Sequence, residues 1–301
     1  MPSEGHGRIF WIDLARIAAI LLIVAFHVGY EFTLDNGIRW VGFLGASLFF
    51  IISGFMLGRH DPERVSFDLG WMFRRFLKIA SLYYPTLIVL FAILGSQICD
   101  KGWIDVAAHM LFINGTWPET TYSIISPAWF LVPLFFLYVF FPLINRLVRS
   151  HGVFIPIAVL ITLAARMYYG GLVNTSPFFF LAEFCFGIAF ANGRKDAWMI
   201  APLALAAVMP VMAAPFLLFF LFSLLPEKGP DHLVREAASL IGQHTFEIFL
   251  FHESLMKVAL GKWKVSGLDA LPSTAILIAG LLAVMAVSRW VNRVFSKKPA
   301  A

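Results

Sequence analysis

The strongest constraint on the fold is a series of long apolar runs that recurs along most of the chain. One of them, residues 17–26, is ten consecutive apolar residues. Hydrophobic residues fill 60% of the 301 positions and charged residues 14%, against roughly 25% charged residues in an ordinary soluble domain. Because several runs approach the length of a bilayer-spanning helix, the sequence predicts an all-α, polytopic transmembrane bundle with the lipid bilayer as its surroundings.

The runs predict about ten spans in a single domain covering residues 1–301. Their limits, set by charged residues and by Gly, Pro or Asn clusters, are residues 9–31, 41–58, 75–97, 127–148, 153–169, 177–192, 197–209, 212–226, 244–261 and 271–294. The seventh and eighth are shorter than the roughly 20 residues that a span needs. Residues 197–226 therefore have an alternative interpretation as one helix kinked at Pro210 and Pro215.

The Lys and Arg residues predict the orientation of the spans. With ten spans and an inside N-terminus, the inside segments hold fifteen of them and the outside segments hold four, namely Arg39, Lys101, Lys262 and Lys264. Arg16, Arg166, Lys257 and Arg289 lie within spans or at their ends. This asymmetry predicts a multi-pass inner (plasma) membrane protein with both termini in the cytoplasm. The outside connection, residues 98–126, contains an apolar stretch too short to span, which predicts an interfacial or re-entrant segment.

Other classes of protein and site are disfavoured. Cys99 and Cys185 lie in different segments without metal-ligand spacing, so neither a disulfide framework nor a metal site is predicted. The formal charge of +5 is spread between apolar runs, so we expect no nucleic-acid partner.

The first predicted helix contains ionisable residues that a span tolerates only at a cost of several kcal/mol. Arg16 and His27 are eleven residues apart, which places them within about 20° of the same helix face and about 16 Å apart along the axis. Asp13 is spaced to pair with Arg16, and Glu31 is spaced to orient the ring of His27. The alternative interpretation is a pair of snorkelling end charges and a buried structural histidine.

Two further clusters lie in the second and third predicted spans. Ser53 and Gly54 favour close helix packing. Arg74, Arg75 and Lys78 begin the third predicted span and are suited either to bind phosphate groups or to fix the topology.

The remaining candidates lie in the fourth and ninth predicted spans. Trp129 is typical of a membrane-interface anchor. Glu247, His252 and Glu253 are more ionisable groups than an apolar span needs for anchoring, which favours a polar cavity.

These pieces together resemble the type 3 acyltransferases in their stand-alone form. The matches, in chain order, are the Arg-x10-His pair Arg16 and His27, the segment Phe49-Phe50-x-x-Ser53-Gly54, the basic cluster Arg74-Arg75-Phe76-Leu77-Lys78, the positions Trp129, Tyr138 and Pro142, the segment Ala182-Glu183-Phe184-Cys185-Phe186-Gly187, and the segment Thr245 to His252. Three departures are Lys78 in place of the usual Arg, Leu134 and Phe135 where many members carry Glu, and Phe249 in place of Tyr.

The resemblance implies transfer of an acyl group, most often acetyl, from a cytoplasmic acyl-CoA to a hydroxyl of a carbohydrate or lipid-linked sugar at the outer face. It implies that Arg16, Arg74, Arg75 and Lys78 bind the CoA phosphates and that His27, with Arg16, is catalytic. Glu31, Ser53, Trp129, His252 and Glu253 are the expected acceptor-site residues. Both direct transfer and an acyl-enzyme remain open, because no activated Ser or Cys stands out.

Two other classes of function stay open at this point. A transporter or flippase also uses buried charges but predicts paired half-sequences, which the sequence lacks. A structural subunit of a polysaccharide export system needs no histidine in its first span. Homo-oligomers or polysaccharide-assembly partners are compatible with either class.

Overall fold

The structure is a computed structural model that describes residues 8–33, 38–98, 102–171, 173–194 and 196–259, together with 278–280, 282–283 and 286. Within these residues the named elements are all helical. The α-helices are α1 (Phe10–Thr33), α2 (Arg39–His60), α3 (Leu69–Ile98), α4 (Trp103–Met110), α5 (Pro118–Thr121), α6 (Leu131–Val139), α7 (Phe141–Ser150), α8 (Phe154–Tyr169), α9 (Leu181–Ala191), α10 (Ala214–Ser223), α11 (His232–Gln243) and α12 (Thr245–Ala259). Shorter 3₁₀ helices are Ser126–Phe130, Pro177–Phe180, Ala197–Ala207 and Pro210–Met212.

Within the described ranges, three helices are long and apolar enough to cross a membrane: Phe10–Tyr30, Arg39–His60 and Leu69–Ala92. The bent pair Ser126–Val139 and Phe141–Ser150 would make a fourth if it forms one span. The described residues thus confirm an all-helical chain with membrane-length helices, but they do not provide ten clear spans. Most of the last predicted span, residues 271–294, lies outside the described residues.

The predicted continuous helix over residues 127–148 is wrong. The chain bends by 61° where α6 gives way to α7. Pro142 lies at the start of α7, where its missing N–H costs little, but its ring would clash with a carbonyl one turn earlier in an uninterrupted helix. The helix therefore restarts at this proline.

Residues 197–226 form neither two α-helical spans nor one long helix. A 3₁₀ helix occupies Ala197–Ala207, a shorter one occupies Pro210–Met212, and α10 begins only at Ala214. Pro202 lies inside the first of these segments and Pro210 begins the second. Each proline lacks the N–H that a continuous α-helix requires, which accounts for the interruptions.

At the end of the bundle that carries Arg8, one helix begins earlier than predicted and another was not predicted. Helix α3 begins at Leu69 and not at residue 75, because the Asp68 carboxylate accepts a hydrogen bond from the Trp71 amide at 3.0 Å and caps the first turn. Helix α11 was not predicted. Asp231 caps it by accepting from the Val234 amide at 2.9 Å.

Helix α2 is the centre of the bundle, with α1 on one side and α9 on the other. Gly187 of α9 and Gly54 of α2 permit the second contact. A Cβ atom at Gly187 would lie 2.1 Å from the Ile51 carbonyl oxygen, and one at Gly54 would lie 2.1 Å from that of Phe184. The Ser-Gly pair was expected to allow close helix approach, and at Gly54 the structure shows that approach.

The predicted outside connection, residues 98–126, contains the short helix α4, which packs on α3. The Tyr83 hydroxyl lies 2.7 Å from His109 Nδ1, and His109 Nε2 lies 3.2 Å from the Ser123 hydroxyl. The Ser123 hydroxyl in turn donates to the Thr120 carbonyl at 3.0 Å. Because that hydrogen is already committed, Ser123 is a link in a structural network and not an activated nucleophile.

Candidate active site

A large cavity of about 1300 Å³ opens between α1, α2, α3, α6 and α12. Four cationic side chains line it, namely Arg8, Arg16, Arg75 and Lys78. Ser53 also lines it, and its side chain interacts with the hydroxyl of Tyr138. The structure thus brings together residues from three helices that the sequence singled out separately.

Arg75 is held in position by two neighbours. Its guanidinium donates to the Asp61 carboxylate at 2.6 Å and lies 5.5 Å from the centre of the Trp71 ring. Arg64 lies over the same ring at 5.2 Å. The loop that carries Asp61 is itself fixed, because the Asn145 amide donates to the Arg64 carbonyl at 2.9 Å. Arg75 therefore faces the cavity with its orientation set by protein contacts.

Arg16 pairs with Asp13, as its spacing predicted. The distance between Arg16 Nη1 and Asp13 Oδ1 is 3.7 Å, and Arg8 approaches the same carboxylate at 3.5 Å. Arg8 also donates to Gln243 at 3.2 Å. Two cations share one carboxylate, so this end of the large cavity keeps a positive balance that favours an anionic ligand. A smaller cavity of about 530 Å³ adjoins it and shares Arg8 and Gln243.

Arg74 and Trp129 are predicted site residues that the structure does not bring to the large cavity. Arg74 is exposed and does not line it, because Arg75 and Lys78, three residues apart, share the helix face toward the cavity and Arg74 projects from another. Trp129 packs against Phe130 and Phe180 with ring centres 6.0 and 6.3 Å apart, so its ring is held by neighbouring aromatic side chains. The side chain of Glu31 lies outside the described residues.

The two candidate histidines lie against each other. The ring centres of His27 and His252 are 4.9 Å apart in an edge-to-face arrangement. His252 is 1% exposed, whereas His27 is half-buried. The sequence treated them as separate candidates on different helices, and the packing of α12 on α1 makes them one site.

The backbone of α12 fixes the tautomer of His252. Its Nδ1 lies 2.8 Å from the Phe249 carbonyl oxygen and 3.2 Å from that of Ile248. A carbonyl oxygen can only accept a hydrogen bond, so Nδ1 carries the proton and the neutral ring has its lone pair on Nε2. Among the described residues Nε2 has no hydrogen-bond partner. It can therefore accept a proton or a hydrogen bond from a ligand.

The carboxylates of α12 have separate surroundings. Glu247 lines the large cavity and lies 3.2 Å from His244 Nδ1. Glu253 is 7% exposed and interacts electrostatically with Tyr122 of the outside connection. Of the polar residues predicted together on this helix, Glu247 therefore faces the large cavity. Glu253 lies toward Tyr122 instead.

A buried ion pair was missed by the sequence reasoning. Arg166 of α8 is hydrogen-bonded to Glu183 of α9, and their side chains are 2% and 0% exposed. In the sequence, Arg166 stands out only as a charge within a span, and Glu183 only as part of a family segment. The signal was present, because an arginine inside a span requires a carboxylate or carbonyl partner.

Ion pairs join several chain segments at the end of the bundle that carries Arg8. Arg59, at the end of α2, lies 3.4 Å from Glu227, whose carbonyl accepts from the Phe10 amide at 2.8 Å. Arg149, at the end of α7, lies 2.8 Å from Glu63. These segments are those predicted to share one side of the membrane. Among the residues described, no three His, Cys, Asp or Glu side chains form a group that could hold a metal ion.

Comparison with known proteins identifies the family of the chain. The chain is 32% identical over 154 residues to the protein named acyltransferase MdmB of Streptomyces mycarofaciens, in a match that covers 45% of this chain and 38% of that relative's length. No solved structure matches significantly. Residues 9–293 match the family model described as an acyltransferase domain, that of the type 3 acyltransferases. The protein is therefore a member of the type 3 acyltransferase family.

Proposed function

We propose that this acyltransferase moves an acyl group from a cytoplasmic acyl-CoA, acetyl-CoA in the simplest case, to a hydroxyl of a carbohydrate or glycolipid at the outer face. The observation that carries the proposal is the placement of a cationic cavity and a histidine pair in one bundle. Arg16 lines the cavity and His27, eleven residues later on the same helix, contacts His252.

The donor would lie along the cavity. Arg16, Arg75 and Lys78 would hold its phosphates through charge-assisted hydrogen bonds. Behind them the lining is largely apolar, with Phe49 and Leu134 among its members, which suits the pantetheine arm. The roughly 16 Å from Arg16 to His27 along α1 is a distance that an extended arm can cover.

His27 would act as the general base. As the acceptor oxygen attacks the thioester carbonyl, His27 takes the hydroxyl proton, the carbon–sulfur bond breaks, and the leaving CoA thiolate accepts that proton. Histidine suits this step because its ordinary pKa near 6.5 lets it exchange protons at neutral pH. His252, with its lone pair on Nε2, would accept a hydrogen bond from the acceptor or support His27.

The test is acyl transfer by the purified protein from labelled acetyl-CoA to a carbohydrate acceptor, comparing His27→Ala with His252→Ala. Both variants must first show normal membrane insertion and CoA binding. Loss of a general base costs roughly 10² to 10⁴ in rate, and we expect that loss for His27→Ala. Near wild-type transfer by inserted His27→Ala protein contradicts the proposed role. A transporter or structural subunit would transfer no label even as the wild type.

We also propose that the end of the bundle bearing Arg8, Arg59 and Arg149 faces the cytoplasm, as a cytoplasmic donor requires. Fifteen inside against four outside Lys and Arg residues support this orientation. Cysteine-accessibility labelling should find residue 66 on the cytoplasmic side and residue 116 on the opposite side. The reverse pattern would overturn the orientation and would leave the donor site on the wrong side.

A further inference from the structure

Two phenylalanines close one part of the large cavity. Phe130 and Phe249 both line it, and each is 5% exposed. Their ring centres are 5.2 Å apart. We call this pair, Phe130 and Phe249, the aromatic wall.

The aromatic wall lies between the cavity and the histidine pair. The Phe249 ring is 6.1 Å from the ring of His252, which contacts His27 at 4.9 Å. Neither histidine lines the cavity itself. Phe249 thus borders both the cavity and His252, so an acyl group that passes from the cavity toward the histidine pair along α12 lies against the aromatic wall.

The aromatic wall is held by packing and by the backbone. The Phe130 ring lies 4.5 Å from Phe50, which stacks on Phe180 at 4.1 Å. The Phe249 carbonyl oxygen accepts a hydrogen bond from His252 Nδ1 at 2.8 Å. Because these neighbours are buried and closely packed, enlarging the space for an acyl group would require repacking of several rings.

The charges that line the cavity are unevenly placed. Arg8 precedes α1 and Arg16 lies in its second turn, while Arg75 and Lys78 lie in the second and third turns of α3. The acidic Glu247, in contrast, lies two residues before Phe249 on α12. A carboxylate on the acyl group would be desolvated against two aromatic rings, which is costly without a cationic partner.

We propose that the aromatic wall selects the acyl group: it admits a short, uncharged acyl such as acetyl and disfavours longer or dicarboxylic acyl groups. This inference rests on the proposed function, since it presumes an acyl-CoA donor in the large cavity. It assigns the choice of acyl group to Phe130 and Phe249, whereas the phosphate contacts of Arg16, Arg75 and Lys78 are common to all acyl-CoA donors.

The test compares kcat/KM for acetyl-, butyryl-, hexanoyl- and succinyl-CoA in the wild type and in Phe249→Ala and Phe130→Ala. Each additional methylene in a hydrophobic pocket changes discrimination by roughly 10- to 200-fold, so we expect the hexanoyl-to-acetyl ratio to rise at least about tenfold. Succinyl-CoA should remain poor, because neither variant adds a cation. Phe251→Ala is the matched control: Phe251 lines the same cavity from the same helix, and its replacement should leave the ratio unchanged.

The ratio of two donors in one sample does not depend on the fraction of active protein. If Phe249→Ala inserts poorly, Phe249→Leu should show a smaller shift in the same direction. An unchanged ratio in both Phe249→Leu and Phe130→Ala, or an equal shift in Phe251→Ala, overturns the inference. A wild type that uses no acyl-CoA contradicts the proposed function instead, so the two failures are distinguishable.

Discussion

Among the described residues, two arginine–carboxylate pairs lie within apolar helices, and their surroundings differ. In the sealed pair, Arg166 and Glu183 are 2% and 0% exposed, and the guanidinium lies 5.0 Å from the ring of Phe43. In the open pair, Asp13 and Arg16 have side chains 5% and 27% exposed, and Arg16 lines the large cavity.

The difference separates a structural charge from one available to a ligand. The sealed pair contacts only protein, so no ligand reaches it without disruption of α8 and α9. The open pair leaves part of the Arg16 guanidinium facing the cavity. Position inside an apolar span therefore does not by itself identify a binding residue; access to a cavity does.

The largest expected effect is on the sealed pair. Arg166→Ala leaves Glu183 as an uncompensated buried charge, which costs about 3–5 kcal/mol of folding free energy. Arg16→Ala should cost much less, because Asp13 keeps Arg8 as a partner. Denaturation in detergent, followed by the fluorescence of the native tryptophans, measures both.

A double variant sharpens this comparison. Replacing Arg166 with Met and Glu183 with Leu removes both charges, and it should be less destabilising than Arg166→Ala alone. Equal stability of Arg166→Ala and the wild type would show that the pair is not a structural element.

The next largest effect concerns donor affinity at the open pair. Arg16→Ala combined with Arg75→Ala should weaken CoA binding by about 10- to 100-fold, because hydrogen bonds to charged groups contribute about 1.5–3 kcal/mol. Arg74→Ala is the matched control, since Arg74 is exposed and does not line the cavity. Calorimetric titration with CoA measures the affinities. Undiminished affinity in the double variant would show that these arginines do not bind CoA and would leave the orientation of the chain in the membrane as the role of the basic cluster.

A smaller effect should distinguish the two sides of α2. Gly187→Ala places a Cβ against the Ile51 carbonyl oxygen, and such overpacking costs about 1–3 kcal/mol. Gly42→Ala, on the side of α1, meets the Phe26 side chain, which can shift more readily than a backbone carbonyl in a helix. We expect the thermal midpoint to fall more for Gly187→Ala. The reverse order would indicate that the α2–α9 contact is the more adaptable one.

The smallest effect at neutral pH is expected for the network at the outside connection. Burial lowers the pKa of His109 to about 4, below the ordinary value near 6.5. The unfolded chain therefore binds a proton first as the pH falls, so stability is complete above about 6.5 and declines between about 6.5 and 4. His109→Gln should remove this decline from denaturation curves measured across that range. An unchanged pH dependence in the variant would exclude His109 as its source.

Much of the architecture was predictable from local patterns. The limits of α8, and the start of α12, follow from apolar runs and their flanking residues, and Asp13 pairs with Arg16 because three residues make almost one helical turn. The proline bend before α7 and the helix α11 were missed, although Pro142 and the Asp231 cap are visible signals. An amphipathic spacing of Leu233, Ala237 and Leu240 also marks α11 in the sequence.

The sequence by itself determined the helical class, the family and the positions of ionisable residues along each helix, because these depend on composition and on spacing within one helix. Only the tertiary structure decided that His27 meets His252. It also decided that Arg75 lines the large cavity while Arg74 does not. The burial of Arg166 against Glu183 is likewise a result of tertiary packing. These outcomes depend on which helix faces which, and that choice comes from packing between residues distant in sequence, which no local period encodes.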